Sequence, residues 1–324
     1  MRAVIFDRPG GPEVLRIAEA PDPVPGPEDL LVRNFAAGLN RADLLQRRGR
    51  YPPPPGESEI LGLEFAGEVE EAGPGAPGFS RGDRVFGLLA GGGCAELVKT
   101  HHRMAVRIPD NFSYEMAAAV PEAFFTAEDN LFVQGGLANG ETVLVHAGAS
   151  GVGTAAIQLA RDRGARVIAT AGSAEKVQRC LELGAHHALD RHQDFAGRVA
   201  EITGGAGVQV ILDLVGASYW EQNLRSLATG GRLLLVGLVG GSKVEADLSM
   251  LLRRRLRVIG STLRGRSLEE KIAITDRFRT AVLPRLEAGA IRPVLDRVFP
   301  LEEVRAAHER MEANLNVGKI VLRL

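Results

Sequence analysis

The stretch VLVHAGASGVGTAAIQLAR, residues 143 to 161, decides the fold. Its continuous apolar opening reads as a buried strand, and AAIQLA reads as the inward face of a helix. Between them Gly148, Ser150, Gly151 and Gly153 crowd a short turn. Glycines there let the backbone turn sharply and approach a pyrophosphate, whose charge then rests at the positive end of the helix. Ser150 stands where the middle glycine of the usual G-x-G-x-x-G pattern falls, with Val152 inside the turn. A lone glycine pattern is weak evidence. One lodged between a strand and a helix points to a bound dinucleotide.

Working outward, the same rhythm recurs. ETVLVHAG (141 to 148) leads into a helix running to about Arg163, ARVIATAG repeats strand and turn, and VQRCLELG supplies a helix. VQVILDLVG (208 to 216) and GRLLLVGLVG (231 to 240) are further strands. This alternation predicts an α/β fold with a Rossmann-type, doubly wound parallel sheet.

The flanks differ. DLLVRNFAAG (29 to 38) and EFAGEVEEAG (64 to 73) are short strand-like runs broken by Pro and Gly, which predicts an irregular, mainly antiparallel, barrel-like domain. YPPPPGESE from Tyr51 is a surface loop, because proline has no amide donor and a set φ. SYEMAAAVPEAFFTAEDNLF is helical, with Pro121 bending it or separating two helices. Near the end, SLEEKIAITDRFRTAVLPRLEAG (267 to 289) reads as one long helix, RPVLDRVFP as a strand, LEEVRAAHERMEAN as a helix and GKIVLRL as a closing strand. The chain is therefore expected to return to its first domain: 1 to 118 with 264 to 324 as the barrel-like part, and 119 to 263 as the dinucleotide-binding part.

Composition narrows the function. Thirty-nine basic and forty acidic residues leave a net charge of -1, so no global field recruits nucleic acid or an anionic membrane. The basic run RRRLR (253 to 257) lacks interleaved aromatics and reads as a solvated helix end. No apolar run approaches the roughly 20 residues of a membrane helix. MRAVIFDRPGG opens as strand and turn rather than signal peptide, and two cysteines, Cys94 and Cys180, cannot build a disulfide framework. A reducing cytoplasm is the expected setting.

The second strand ends in Ala171, Gly172 and Ser173, where an NAD site usually offers a carboxylate to the ribose. With no such repulsion, and with Lys176 one turn onward, NADPH is the expected cofactor; the alternative for Lys176 is a solvated helix lysine. A catalytic zinc needs three ligands around one point. Zinc dehydrogenases carry a Cys and a G-H-E run where this chain has Asn40 and Gly62-Leu63-Glu64, so no metal is expected. Glu64 reads as a buried carboxylate holding a barrel turn. His101, His102, His186, His187 and His192 show no metal-ligand spacing and read as surface or packing residues.

The runs LNRADLLQRRGRYPPPPG from Leu39, ILGLEFAGEV from Ile60, HAGASGVGTAAIQLA from His146 and ANLNVGKIVL near the end occur together. In them the chain resembles, over essentially its whole length, the zinc-free quinone oxidoreductase branch of the medium-chain dehydrogenase/reductase superfamily. It looks closest to the tumour-suppressor-induced members of animals. The resemblance implies a GroES-like domain beside the Rossmann domain, NADPH as cofactor and a quinone as acceptor, with no metal. It implies that Asn40 and Tyr51 border the nicotinamide and substrate and that Thr126 lies beneath the ring. Ser150, Gly151, Val152 and Gly153 match the pyrophosphate turn, and Ser173 and Lys176 the adenosine-phosphate contacts. Gly237, Leu238, Thr262 and Leu263 match backbone contacts near the nicotinamide. One departure is LDRHQDF, where Asp190 replaces an aromatic or histidine beside that phosphate. Asp190 disfavours a phosphate and Arg191 favours it.

From the residues alone, Tyr51 can donate to a substrate carbonyl or simply pack on prolines, and Asn40 can act similarly or only satisfy backbone groups. Reduction of α,β-unsaturated carbonyls or acyl thioesters is the alternative chemistry. A non-catalytic NADPH- or RNA-binding protein is the alternative class. A homodimer is expected, paired through the strand around GRLLLVGLVG.

Overall fold

A computed structural model describes all residues, 1 to 324. The chain divides into two compact units, Met1–Phe125 with Leu263–Leu324, and Thr126–Thr262. The first boundary runs through a helix rather than before it, so it lies beyond residue 118, and Leu263 belongs with the first unit.

In the first unit β1 (Arg2–Ile5) and β2 (Arg16–Glu19) form an antiparallel pair. β3 (Asp29–Leu39) is the spine, and the capped helix α1 (Arg41–Arg47) follows it directly. β4 (Glu64–Ala72), β5 (Arg84–Leu88), β6 (Leu97–His101) and β7 (Val106–Arg107) complete the amino-terminal part of a mixed sheet. Residues 51 to 57 carry neither helix nor strand, as the prolines require. Pro121 separates α2 (Tyr114–Ala118) from α3 (Pro121–Glu128), and a π-helical turn, Asp129–Gln134, continues the latter.

The second unit carries β8 (Thr142–Val145), α4 (Gly151–Asp162), β9 (Arg166–Ala171), α5 (Ala174–Glu182), β10 (His187–Asp190), α6 (Phe195–Ile202), β11 (Val208–Asp213), α7 (Trp220–Ser226), β12 (Leu227–Leu235), α8 (Ser249–Arg254) and β13 (Arg257–Gly260). Every pairing is parallel and the order is β10-β9-β8-β11-β12-β13. Counted within the sheet this is 3-2-1-4-5-6, the doubly wound arrangement that gathers ligands at the carboxyl ends of the strands. Leu144, Ile168, Phe195, Ile211 and Leu233 make its buried core.

The chain then adds α9 (Leu268–Ala281), α10 (Leu283–Glu287), β14 (Leu295–Pro300), α11 (Val304–Glu312) and β15 (Lys319–Arg323) to the first unit. β15 pairs antiparallel with β3, and only β14 and β15 pair in parallel, giving the order β14-β15-β3-β4-β5-β7 with β6 on β3.

Three sequence expectations are corrected. The single helix over 267 to 289 is two, because Pro284 brings no amide to a helix and clashes with the preceding turn. The run RRRLR is not only a helix end: α8 stops at Arg255, whose φ is 52°, and the chain re-enters the sheet at Arg257 as its outermost strand. The strand around 231 to 240 runs from Leu227 to Leu235 and lies between β11 and β13, so it is an interior strand, and the sheet's edges are β10 and β13.

Candidate active site

The dinucleotide turn is built by close approach. A Cβ on Gly153 would stand 2.3 Å from the Ala147 carbonyl oxygen, and one on Gly148 would stand 2.8 Å from Cys180 Sγ. Gly153 admits no side chain, so the start of the helix meets the turn at Ala147 and Gly148 backbone to backbone, while Gly148 packs against side chains. Ser150 caps α4, its Oγ accepting from Gly153 N at 3.1 Å. The amides of Gly151 and Val152 lie in the first helical turn, where no intrahelical acceptor exists, and fit an anionic pyrophosphate.

A buried chain of polar groups holds the strand ends around that turn. His146, after β8, pairs through Nδ1 with Thr170 Oγ1 at 2.9 Å and through Nε2 with Asn223 Oδ1 at 2.6 Å. Asn223 Nδ2 donates to Asp213 Oδ2 at 3.0 Å, and Asp213 Oδ1 accepts from Val215 N and Gly216 N. Burial holds His146 neutral, its pKa down at about 4, and pushes Asp213 up to about 6 against those three donors. Gly237 and Leu238 follow β12 here: Gly237 N donates to Asp213 O at 3.3 Å, and Leu238 is 55% exposed.

Ser173 and Arg191 lie beside the end of β9, with Lys176 in the first turn of α5. Ser173 Oγ accepts from Lys176 N at 3.3 Å to cap α5. Arg191 N donates to Ala171 O at 2.9 Å, and a Cβ on Gly172 would stand 2.9 Å from Arg191 Nε. Arg191 thus lies over the turn that ends the second strand. Asp190 turns its Oδ1 toward His192 N at 3.0 Å. Thr126 is buried on α3 with its carbonyl accepting from Asn130 Nδ2, and Thr262 is exposed after β13.

In the first unit, Asn40 and Tyr51 stand over a cluster of charges that sequence reasoning missed. Lys319 Nζ donates to Leu39 O at 3.0 Å, Asn40 Oδ1 at 2.5 Å and Glu64 Oε1 at 2.5 Å. Asn40 Nδ2 donates to Glu64 Oε1 at 2.8 Å and Gly38 O at 3.3 Å, so its two protons and its oxygen are all engaged within the protein. Glu64 Oε2 accepts from Glu122 N at 2.8 Å. Asp43 accepts from Asn40 N at 2.7 Å and from Gly62 N at 2.9 Å, and burial still pushes its carboxyl to about 6. Burial pushes Glu122 to about 8, reinforced by the charges of Glu64 and Asp43 and opposed by Lys319 and Arg264.

Arg264 positions Tyr51. It donates to Tyr51 O at 3.1 Å, Gln46 Oε1 at 2.7 Å and Ala90 O at 2.6 Å, and its guanidinium stands 5.3 Å from the Tyr51 ring centroid. Tyr51 is half-buried and its hydroxyl has no hydrogen-bond partner in the chain. Burial and the Glu122 charge both raise its pKa, so the hydroxyl keeps its proton.

Two family models match: a zinc-binding dehydrogenase over residues 151 to 278 and an alcohol dehydrogenase GroES-like domain over 26 to 110. A quinone oxidoreductase of Pseudomonas aeruginosa is 36% identical, the match covering 99% of both chains. The chain belongs to the quinone oxidoreductase family of the medium-chain dehydrogenase/reductases. Among solved structures, an Escherichia coli quinone oxidoreductase complexed with NADPH is 31% identical over 100% of both chains, with a TM-score of 0.90. A protein described as an NAD-dependent alcohol dehydrogenase is 34% identical over the same coverage, with a TM-score of 0.89.

The residues do not fit the zinc that the first family model names. The carboxylate nearest Asn40 already holds the Lys319 ammonium, which would repel a dication, and both cysteines are buried, with burial pushing both thiols up.

Proposed function

We propose that this protein uses NADPH to reduce a small quinone without a metal, Tyr51 donating the hydrogen bond that stabilises the substrate oxygen. The coarser activity, an NADPH-dependent oxidoreductase, follows from the family together with a turn shaped for a pyrophosphate. Bound NADPH supplies a hydride. The chain's own residues bind, orient and donate.

The observation that carries the reading is the Tyr51 hydroxyl, protonated, half-buried and uncommitted, on a loop that Arg264 ties down. Negative charge grows on a carbonyl oxygen as hydride arrives, and a preorganised donor stabilises that charge more than it stabilises the ground state. Asn40 acts as a positioning residue, since its amide is spent on Glu64, Gly38 and Lys319. Ser150, Gly151, Val152 and Gly153 receive the pyrophosphate; Ser173, Lys176 and Arg191 receive the adenosine phosphate; Thr126, Gly237, Leu238, Thr262 and Leu263 face the nicotinamide half. The protein acts in the cytoplasm, where its two thiols stay reduced. It pairs with a second copy along the β13 edge, where Val258 is exposed.

Consumption of NADPH against a panel of quinones, enones and enoyl thioesters tests this reading, with and without a chelator. Quinones should give the highest kcat/KM, insensitive to chelation, and Tyr51→Phe should lower kcat by about 10²-fold, the cost of one lost oxyanion donor. Preference for an enone, or an unchanged Tyr51→Phe enzyme, would overturn it.

A further inference from the structure

The turn between β6 and β7 brings together three donor groups that play no part in the site above. His101 closes β6 and pairs in register with Asp29 at the start of β3, while His102 N donates to the Glu28 carbonyl at 2.9 Å. The ladder thus sets both histidines beside the residue that precedes β3. The two imidazoles stack with centroids 4.8 Å apart at 30°, and His101 Nε2 stands 3.8 Å from Glu28 Oε2. One donor atom from each of the three lies within 4.8 Å of the others.

We propose that Glu28, His101 and His102 bind a divalent transition-metal ion of the zinc, nickel or copper kind, with water completing its shell. A tetrahedral ion with ligands at about 2.1 Å spaces its donors by about 3.4 Å, so closure needs only about an ångström of side-chain rotation on a backbone the ladder already holds. Two imidazoles and one carboxylate suit borderline ions over calcium or magnesium. The site stays open to water, since Glu28 is exposed and both histidines are half-buried.

Burial lowers the pKa of His102, as do its neighbours His101, Arg103 and Arg279, against Glu28. Arg103 lies 3.5 Å from Glu269 and 3.8 Å from Asp276, which also accepts from Arg279, so part of the repulsion these cations exert on an incoming ion is offset. One contact opposes binding. His101 Nδ1 accepts from Arg103 N at 3.2 Å, and ligation through Nε2 moves the ring proton to Nδ1 and gives up that bond, lowering affinity by roughly tenfold at most.

Metal-stripped protein titrated with zinc chloride and, separately, with cobalt chloride, the latter followed by visible absorption, tests the proposal. At about pH 7.5 one ion per chain should bind. His102→Ala and Glu28→Gln should each weaken it by about tenfold or more, with unchanged circular dichroism. NADPH oxidation should be the same in stripped and loaded protein. No saturable binding would overturn the proposal, as would binding equal in wild type and both variants, which would place the ion away from Glu28 and His102.

Discussion

Replacing Lys319 by methionine keeps the length of the side chain and removes its charge. In the wild type the side chains of Lys319 and Glu64 are 5% and 0% exposed, and all three ammonium protons have acceptors. Lys319→Met would leave the Glu64 carboxylate buried beside Asp43 and Glu122, with only Asn40 Nδ2 and Glu122 N to satisfy it. Breaking a buried pair from one side costs about 3 to 5 kcal/mol, a large part of the roughly 5 to 15 kcal/mol that holds a domain folded. Removing both charges in Lys319→Met/Glu64→Gln should recover much of that loss, because no unpaired ion remains. Trp220, the only tryptophan, lies in the second unit. Urea unfolding of Lys319→Met should therefore show circular dichroism changing at lower denaturant than Trp220 fluorescence. A loss under about 1 kcal/mol, or a double variant as weak as the sum of the two single ones, would refute the account of this cluster.

The cofactor phosphate offers a second test. Wild type should prefer NADPH, Lys176→Ala should erode the preference mainly through the NADPH KM, and Asp190→Tyr should strengthen it. A charge-assisted contact contributes roughly 1.5 to 3 kcal/mol, about tenfold to hundredfold, and steady-state kinetics with both cofactors reads it directly. Glu122 sets a pH dependence: its folded pKa of about 8 lies above the ordinary 4.5, so its contribution is intact below 4.5 and drains away as pH rises toward 8. Glu122→Gln should flatten the fall of thermal midpoint across that window, and an unchanged slope would count against the assignment. Light scattering should give twice the 34.6 kDa chain mass, and Val258→Lys on the open edge should shift the protein toward monomer.

What was legible in the chain was local. The apolar run before Gly148 and the amphipathic face after Gly153 set β8 and α4, since strand, turn and helix signals lie within twenty or so contiguous residues. β13 escaped notice because Arg257, Val258, Ile259 and Gly260 form a short, exposed edge strand straight after a basic helix end, with no alternation to betray it. The break at Val282 was hidden by good helix formers on both sides of Pro284. The charge cluster could not be read at all: Asn40, Glu64, Glu122 and Lys319 come from four separated segments, and only folding β15 onto β3 brings Lys319 to Glu64. The capping pair Asn40 and Asp43 was the one local hint. The adjacent His101 and His102 stand out in the chain but Glu28 beside them does not, because ligand spacing is judged along the chain while the strand ladder works across it.

The central claim, that hydride passes from NADPH to a quinone with no metal between them, is tested most directly in a single turnover. Stripped enzyme loaded with one equivalent of NADPH, or of NADPH deuterated at the transferring position of the nicotinamide, is mixed with excess benzoquinone while the nicotinamide absorbance is followed. The account predicts complete oxidation far faster than in buffer, slowed by deuteration, slowed again in Tyr51→Phe and unaffected by chelator. NADPH that binds yet decays no faster than in buffer, or turnover that returns only when a metal is added, would contradict it.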